Sequence, residues 1–213
     1  MKALLLLSGG FDSVVAGFLM KKKGLELLAI HFSHEPFTDN KAELKTKKLA
    51  AILNIQTLFV AKAGEAFGEL TKSCNHKLYF VLSKRLMYKV ADTIAKKEHC
   101  TFLITGENIG QVSSQVLSNL QNIDRASSLP VLRPLLCFDK EEIIHLARTF
   151  GTYETSCGPE ICDILGPKHP ATHSKNSEII LQESKLDTEA LIHSILAKIK
   201  KEELTTLKNE SIY

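Results

Sequence analysis

The residues best suited to chemistry stand near the start of the chain, where an apolar run meets two adjacent glycines. Glycines allow backbone N–H groups to approach an anion closely, because no Cβ atom intervenes. The apolar pattern that resumes after them has helical spacing, and the positive end of a helix dipole also attracts an anion. The stretch therefore predicts a phosphate-binding turn between a buried strand and a helix. Its glycine and polar residues are Ser8, Gly9, Gly10, Asp12 and Ser13.

This turn differs from the two most common nucleotide-binding sequences. No Gly-Lys-Ser/Thr follows the glycines, so it is not a Walker loop, and its spacing is not G-x-G-x-x-G. The hydroxyl groups of Ser8 and Ser13 would donate hydrogen bonds to a phosphate. Asp12 would cap the helix or hold a metal ion on a polyphosphate. An ordinary strand-to-helix turn is the alternative interpretation.

A second reactive feature is a pair of cysteines, Cys157 and Cys162, in a stretch without periodicity from 152 to 175. Loops of this length are usually functional or disordered. Lys168 and His169 follow the cysteines, and their positive charge would lower a thiol pKa and raise the thiolate fraction. A thiolate with a second cysteine nearby can form a disulfide with it. A metal pair, or an iron–sulfur cluster with a third thiol, is the less favoured alternative.

The elements that must position these residues alternate along the chain between predicted strands and predicted helices. This alternation predicts a five-stranded parallel sheet with helices on both faces. Residues 61–74 are interpreted as a loop or a short helix, and 178–208 as one or two helices. Residues 1–175 form one predicted domain, and 176–213 a helical extension of the same domain. The predicted strands are 4–7, 25–32, 56–60, 100–105 and 129–132, and the predicted helices are 12–23, 40–53, 78–97, 111–120 and 139–150.

The composition favours a cytoplasmic protein with one sizeable core. The chain has 213 residues, of which 44% are hydrophobic, and a formal net charge of +3. That charge neither requires nor excludes a nucleic-acid partner. No apolar run approaches the roughly 20 residues that span a bilayer, which argues against a membrane partner. The five cysteines are odd in number, which favours a reducing compartment over a disulfide framework.

Five stretches together resemble a known family. Ser-Gly-Gly-x-Asp-Ser at 8–13 resembles the PP-loop of ATP pyrophosphatases, which have the adenine nucleotide alpha hydrolase (HUP-like) fold. The block T-G-E-N-I-G-Q-V-S-S-Q at 105–115 is similar to one in the tRNA 4-thiouridine synthetase family, ThiI. The resemblance extends from about residue 2 to residue 172. The other matching stretches are L-P-V-L-R-P-L at 129–135, Cys162 with P-K-H-P at 167–170, and His31-Phe32 with Pro36-Phe37-Thr38.

The resemblance implies an enzyme that activates the C4 oxygen of a tRNA uridine with ATP and replaces that oxygen with sulfur, releasing AMP and pyrophosphate. It assigns Cys162 as the sulfur-carrying nucleophile and Lys140 as a clamp on the leaving phosphate or the adenylate. Cys157 would resolve a persulfide on Cys162 by forming a disulfide that releases the sulfur. Asp12 would orient Mg²⁺ on the phosphates, and no metal site made of protein ligands alone is expected. The expected catalytic residues are Asp12, Lys140, Cys162 and Cys157, and the expected ATP-binding residues are Leu6, Leu7, Ser8, Gly9, Gly10, Asp12, Ser13, His31, Phe32, Arg85, Gly106 and Gln115.

Three of these assignments have a simpler alternative. His31 would be a hydrogen-bonded histidine at the sheet edge, and Arg85 an ordinary charge on a helix surface. Lys140 would be a solvated lysine paired with Glu141 or Glu142, a kind of ion pair that contributes little.

The sequence also departs from the full-length family pattern. The N-terminal ferredoxin-like segment and THUMP domain that hold tRNA are missing, as is the rhodanese domain of some members, so we expect a bare catalytic domain. Its expected partners are tRNA, held directly or through a separate tRNA-binding subunit, and a sulfur donor that is a protein or sulfide. The oligomeric state, a homodimer included, stays open. Two alternatives are a PP-loop adenylating or sulfur-transferring enzyme with a non-tRNA substrate, and a nucleotide-binding module without turnover.

Overall fold

The structure is a computed structural model that describes residues 1–109, 115–158 and 164–204. Within these ranges, helices and strands alternate along most of the chain, as expected for a parallel sheet. The strands are β1 (Lys2–Leu6), β2 (Glu26–Ser33), β3 (Thr57–Lys62), β4 (Phe102–Ile104), β5 (Val131–Leu132) and β6 (Lys200–Glu203). The helices are α1 (Phe11–Lys22), α2 (Lys41–Ile52), α3 (Gly64–Ser73), α4 (Tyr79–Lys97), α5 (Leu117–Asp124), α6 (Lys140–Thr149), α7 (Tyr153–Ser156), α8 (Asn176–Glu183) and α9 (Thr188–Ala197), with a 3₁₀ turn at His76–Leu78.

The strands form one sheet with the order β5-β4-β1-β2-β3-β6. The five predicted strands pair in parallel, which confirms the predicted class. The prediction of helix throughout 178–208 was wrong at its end, because β6 pairs antiparallel with β3. Its sequence, Lys-Lys-Glu-Glu, is almost wholly charged, and charged side chains are tolerated on an exposed edge strand. Residues 64–73, interpreted as a loop or a short helix, form the regular helix α3.

The core lies on both faces of the sheet, because side chains alternate between the two faces of each strand. On β1, Leu4 and Leu6 belong to the cluster that includes residues of α3, α4, α8 and α9. Ala3 and Leu5 belong to the opposite cluster, which includes residues of α1, α2 and α6. The near-continuous apolar run of β1 is thus explained by helices that cover both faces. Among the described residues, no helix is long and apolar enough to cross a membrane.

The strand order creates a crevice beside β1. The chain proceeds from β1 to β2 and β3 on one side, and β4 then pairs with the other side of β1. The loops that follow β1 and β4 therefore lead to opposite faces, and parallel sheets bind ligands at such a switch point. The diglycine turn follows β1, and Gly106 follows β4. The topology brings these two distant parts of the sequence together.

Candidate functional site

A cleft of about 940 Å³ lies at the carboxyl ends of β1, β2 and β4. The diglycine turn forms part of its wall, as do Leu6 and Leu7 from the end of β1. Large apolar side chains form another part, which suits a ligand with both a charged and an aromatic portion. These apolar side chains are Phe32, Phe67, Phe80 and Met87.

The diglycine turn is held by its own serines. The hydroxyl of Ser13 donates to the carbonyl oxygen of Gly10 at 3.2 Å and accepts from the amide of Ser8 at 3.2 Å. Gly9 has a φ of +92°, a conformation that favours glycine. Gly10 caps α1 without a side-chain hydrogen bond, so the amides of the first turn have no side-chain cap to compete with a ligand. Such a helix start is suited to an anion.

Gly106 contacts the backbone of this turn. A Cβ atom at position 106 would lie 2.4 Å from the carbonyl carbon of Asp12 and 2.5 Å from the nitrogen of Ser13. Gly106, predicted to bind ATP, thus lines the cleft and packs directly on the phosphate-binding turn. Gly106 fixes the start of α1 against the end of β4.

We expect Gly106→Ala to lower ATP-dependent activity about 100-fold, because a displacement of about 1 Å in such a site has an effect of that order. The backbone of Asp12 and Ser13 is what the new methyl group meets, and backbone moves less readily than a side chain. The measurement is kcat/KM together with the thermal midpoint. Gly68→Ala is the matched control, because its methyl group would meet only the ring of Phe37, at 3.0 Å. An active Gly106→Ala variant would contradict this packing argument.

His31 is buried where β2 meets the cleft, with 3% of its surface exposed. Its Nδ1 atom lies 3.1 Å from the carbonyl oxygen of Leu7 and 3.2 Å from Oγ1 of Thr46. Because a carbonyl oxygen only accepts, we assign the proton to Nδ1. Nε2 is then an acceptor, and it has no hydrogen-bond partner among the described residues. Burial is the main cause that lowers the pKa of His31, so a neutral ring is favoured.

His34 lines the same cleft, and its titration gives the protein a testable acid sensitivity. Burial is the main cause that lowers its pKa from 6.5 to about 4, and a proton on the neighbouring His31 opposes its protonation further. The folded state thus binds fewer protons than the unfolded state between these values. Its contribution to stability is complete above pH 6.5 and is lost as the pH falls toward about 4. We expect a loss of about 2–3 kcal/mol over this window.

Urea unfolding at a series of pH values would measure this loss. His34→Phe keeps a ring beside Phe67, whose centroid lies 4.9 Å away, and removes the titrating group. The variant should lose less stability in this window than the wild type, with the remainder due to groups such as His31. Equal pH dependence in the two proteins would show that His34 is not responsible.

Asp12 and Lys140 meet at the cleft although they are far apart in sequence. Nζ of Lys140 lies 3.3 Å from Oδ1 of Asp12. The alternative pairing of Lys140 with a neighbouring glutamate is not what the structure shows: Glu142 instead accepts from the amide of Asp139 at 2.8 Å in a capping box. Asp139 is the N-cap of α6 in this box. A carboxylate and an ammonium therefore stand together beside the phosphate-binding turn.

Glu107 is the buried centre of a charged cluster after β4. Its carboxylate accepts from Nζ of Lys84 at 2.7 Å, from Nε of Arg133 at 2.8 Å and from the hydroxyl of Tyr88 at 2.7 Å. Burial alone would raise the pKa of Glu107, but the charges of Lys84 and Arg133 outweigh it and lower the pKa to about 2. The glutamate is thus ionised, and it fixes the end of β4 to α4.

The prediction that Arg85 contacts the nucleotide is not supported by its position. Arg85 is buried and does not line the cleft. Its guanidinium donates to both carboxylate oxygens of Glu183 at 2.9 and 2.8 Å, which ties α4 to α8. It also donates to the carbonyl oxygen of Asn122. The neighbouring Lys84 lines the cleft instead, because consecutive helical residues differ in direction by about 100°.

The cysteine pair lies only partly within the described residues. Cys157 is exposed at the end of α7, whereas Cys162 lies outside the described residues. After it, Pro167 and Lys168 line the cleft. Their segment is anchored where His76 contacts the carbonyl oxygen of Leu165 at 2.8 Å. The described residues that follow Cys162 in the sequence therefore lie beside the cleft.

The structure brings most of the predicted residues to one place. Besides those already described, Gln115 lines the cleft, and its side-chain oxygen accepts from the amide of Asn108 at 3.2 Å. Several other residues line the cleft without having been predicted, because a lysine or histidine in the sequence carries no local signal that separates a cleft from a solvated surface. These additional residues are His34, Lys45, Lys84 and Glu107.

A parallel sheet with a glycine turn and an open helix start at its switch point defines an α/β protein of the PP-loop class. Residues 1–188 match the family model described as Thiamine biosynthesis protein (ThiI). The chain belongs to that family.

Relatives and a solved structure agree with this assignment. The chain is 42% identical over 210 residues to the probable tRNA sulfurtransferase of Alkaliphilus oremlandii, covering 96% of this chain and 54% of that protein. It is 39% identical to the probable tRNA sulfurtransferase of Finegoldia magna, covering 92% and 51%. A crystal structure of a 4-thiouridine synthetase–RNA complex with bound ATP superposes with a TM-score of 0.91 at 35% identity, covering 96% of this chain and 55% of that one. The chain thus spans about half the length of these relatives.

Proposed function

We propose that this chain is the catalytic part of an ATP-dependent tRNA uridine 4-sulfurtransferase. The observation that carries the proposal is the cleft in which the diglycine turn and the Asp12–Lys140 pair stand together. Relatives named tRNA sulfurtransferase and an ATP-bound 4-thiouridine synthetase support it. We place the phosphates of ATP at the amides of Gly9 and Gly10, and the adenosine near His31 and Phe32.

In the first step, the C4 oxygen of the uridine attacks the α-phosphorus, and the bond to the bridging oxygen breaks. Negative charge develops on the departing pyrophosphate, which the turn amides and the ammonium of Lys140 stabilise. Asp12 fits a role in holding Mg²⁺, because that ion prefers one or two carboxylates together with phosphate oxygens. Bound there, Mg²⁺ would neutralise phosphate charge. Asp12 would then exchange its contact with Lys140 for the ion.

In the second step, the terminal sulfur of a Cys162 persulfide attacks C4 of the uridine, and AMP leaves with the original oxygen. The thiolate of Cys157 then attacks Sγ of Cys162, which forms a disulfide and releases the thiolated uridine. A reductant, such as a dithiol, must regenerate the two thiols. The sulfur donor is a protein persulfide, whose terminal sulfur passes to the thiolate of Cys162 while its own cysteine leaves as a thiol. Alternatively it is sulfide, which attacks Sγ of Cys162 in the Cys157–Cys162 disulfide, forms the persulfide and expels the thiolate of Cys157.

The test is to incubate the protein with ATP, Mg²⁺, a persulfide donor, a dithiol that regenerates the two thiols, and tRNA that lacks thiouridine. We expect thiolated uridine, with AMP and pyrophosphate in equal amounts, and little product from Asp12→Asn. Pyrophosphate without thiolated tRNA would favour the non-tRNA substrate instead. Binding of ATP without turnover would favour a nucleotide-binding module, and formation of ADP with orthophosphate would contradict the proposed chemistry.

A further inference from the structure

Lys45 connects the phosphate-binding turn to the segment that carries the cysteines. It lies on α2, and its Cε is 3.3 Å from the position that a Cβ of Gly9 would occupy. Its ammonium, one bond farther, donates to the carbonyl oxygen of Ser156 at 3.2 Å. Ser156 is the last residue of α7 and immediately precedes Cys157. One side chain therefore contacts both parts of the proposed reaction centre.

The contact made by Lys45 is weaker than the one that an anion would offer. Among the described residues, no carboxylate lies within ion-pair distance of Lys45, whereas Lys84 and Lys140 each have one, in Glu107 and Asp12. The Ser156 carbonyl is neutral, whereas a phosphate anion adds a direct charge–charge attraction to the hydrogen bond from the ammonium. A phosphate anion on the diglycine turn would thus compete successfully with the Ser156 carbonyl for the ammonium of Lys45. The flexible side chain of Lys45 needs only a short movement to reach the turn.

We propose that Lys45 binds the diphosphate portion of the nucleotide and, when it does so, releases the carbonyl oxygen of Ser156. This inference rests on the proposed function, because it takes ATP to occupy the cleft. Lys45 and Lys140 then flank the departing pyrophosphate from α2 and α6. The release loosens the junction of α7 with Cys157 when the diphosphate site is filled. Lys45 thereby links occupancy of the phosphate site to the accessibility of Cys157.

The chain offers a matched control in Lys48, which lies on the same helix and shares an outer groove with Lys45 but does not line the cleft. Calorimetry would measure the binding of magnesium pyrophosphate and of AMP to the wild type, Lys45→Met, Lys45→Arg and Lys48→Met. We expect Lys45→Met to weaken pyrophosphate binding about tenfold, the effect of one charge-assisted contact. AMP binding should be unchanged, Lys45→Arg should retain pyrophosphate binding, and Lys48→Met should behave as the wild type.

Alkylation of Cys157 by iodoacetamide, followed by peptide mass spectrometry, tests the link to the cysteine segment. Pyrophosphate should raise the alkylation rate at least about twofold in the wild type, because a hydrogen bond that restrains the turn is broken. It should have no effect in Lys45→Met.

Four outcomes would overturn the inference. If Lys45→Met binds pyrophosphate as tightly as the wild type, or if Lys48→Met loses as much pyrophosphate affinity as Lys45→Met, then Lys45 makes no specific contact with the diphosphate. Either result would leave the proposed function intact. If pyrophosphate leaves the alkylation rate of Cys157 in the wild type unchanged, Lys45 does not release the carbonyl oxygen of Ser156 when the diphosphate binds. A wild type that binds neither pyrophosphate nor AMP would refute the proposed function together with this inference.

Discussion

Thiolation of tRNA is expected to fall at least about 1000-fold in Cys162→Ala, because removal of a nucleophile that forms a covalent intermediate has effects of that order or greater. Adenylation should survive, since the residues that bind the phosphates are elsewhere. Described residues on both sides of Cys162 lie at the cleft. Ser156 precedes this cysteine and contacts Lys45 of the cleft wall, and Pro167 follows it in that wall.

Single-turnover release of pyrophosphate, measured beside the yield of thiolated uridine, separates the two steps. Cys137→Ala is a suitable control, because Cys137 is exposed and does not line the cleft. Cys157→Ala should trap tRNA in a disulfide with Cys162, provided that Cys157 resolves the intermediate. Substantial thiolation by Cys162→Ala would show that sulfur reaches the adenylated uridine without this cysteine.

Glu107→Gln is expected to lower the free energy of unfolding by about 3–5 kcal/mol, the usual effect of removing one partner from a buried ion pair. Glutamine would keep the shape of the side chain but would leave Lys84 and Arg133 without their shared anion. Urea unfolding near neutral pH would measure the loss. Glu65→Gln provides the control, since Glu65 forms an exposed pair with Lys198 and should cause no measurable change.

The charged cluster around Glu107 also predicts how the stability difference between the wild type and Glu107→Gln varies with pH. The pKa of Glu107 is lowered from 4.5 to about 2 in the folded protein, so the folded state binds fewer protons in that range. The stabilisation is complete above pH 4.5 and is lost as the pH falls toward about 2. The stability difference between wild type and Glu107→Gln should therefore narrow in acid. A difference that stays constant down to about pH 3 would contradict the cause given for the shifted pKa.

Much of the fold followed from local patterns. Apolar runs and helical spacing predicted the five parallel strands, because a strand covered on both faces is apolar along its whole length. The edge strand β6 was not predictable in this way. The residues of β6 are Lys-Lys-Glu-Glu, and both residue types are depleted in strands. The strand forms because β3 presents an open edge with which β6 can pair.

Sequence alone determined the class of this protein: a glycine turn between a buried strand and a helix sets a phosphate-binding geometry through local backbone rules. Tertiary structure decided which charged side chains join that turn. Lys140 contacts Asp12 although the two residues are far apart in sequence. Lys84 lines the cleft, whereas the adjacent Arg85 binds Glu183. The physical reason is that a charge is stabilised by whatever lies within a few ångströms of it. That neighbourhood is created by the packing of distant segments, and no spacing along the chain records it.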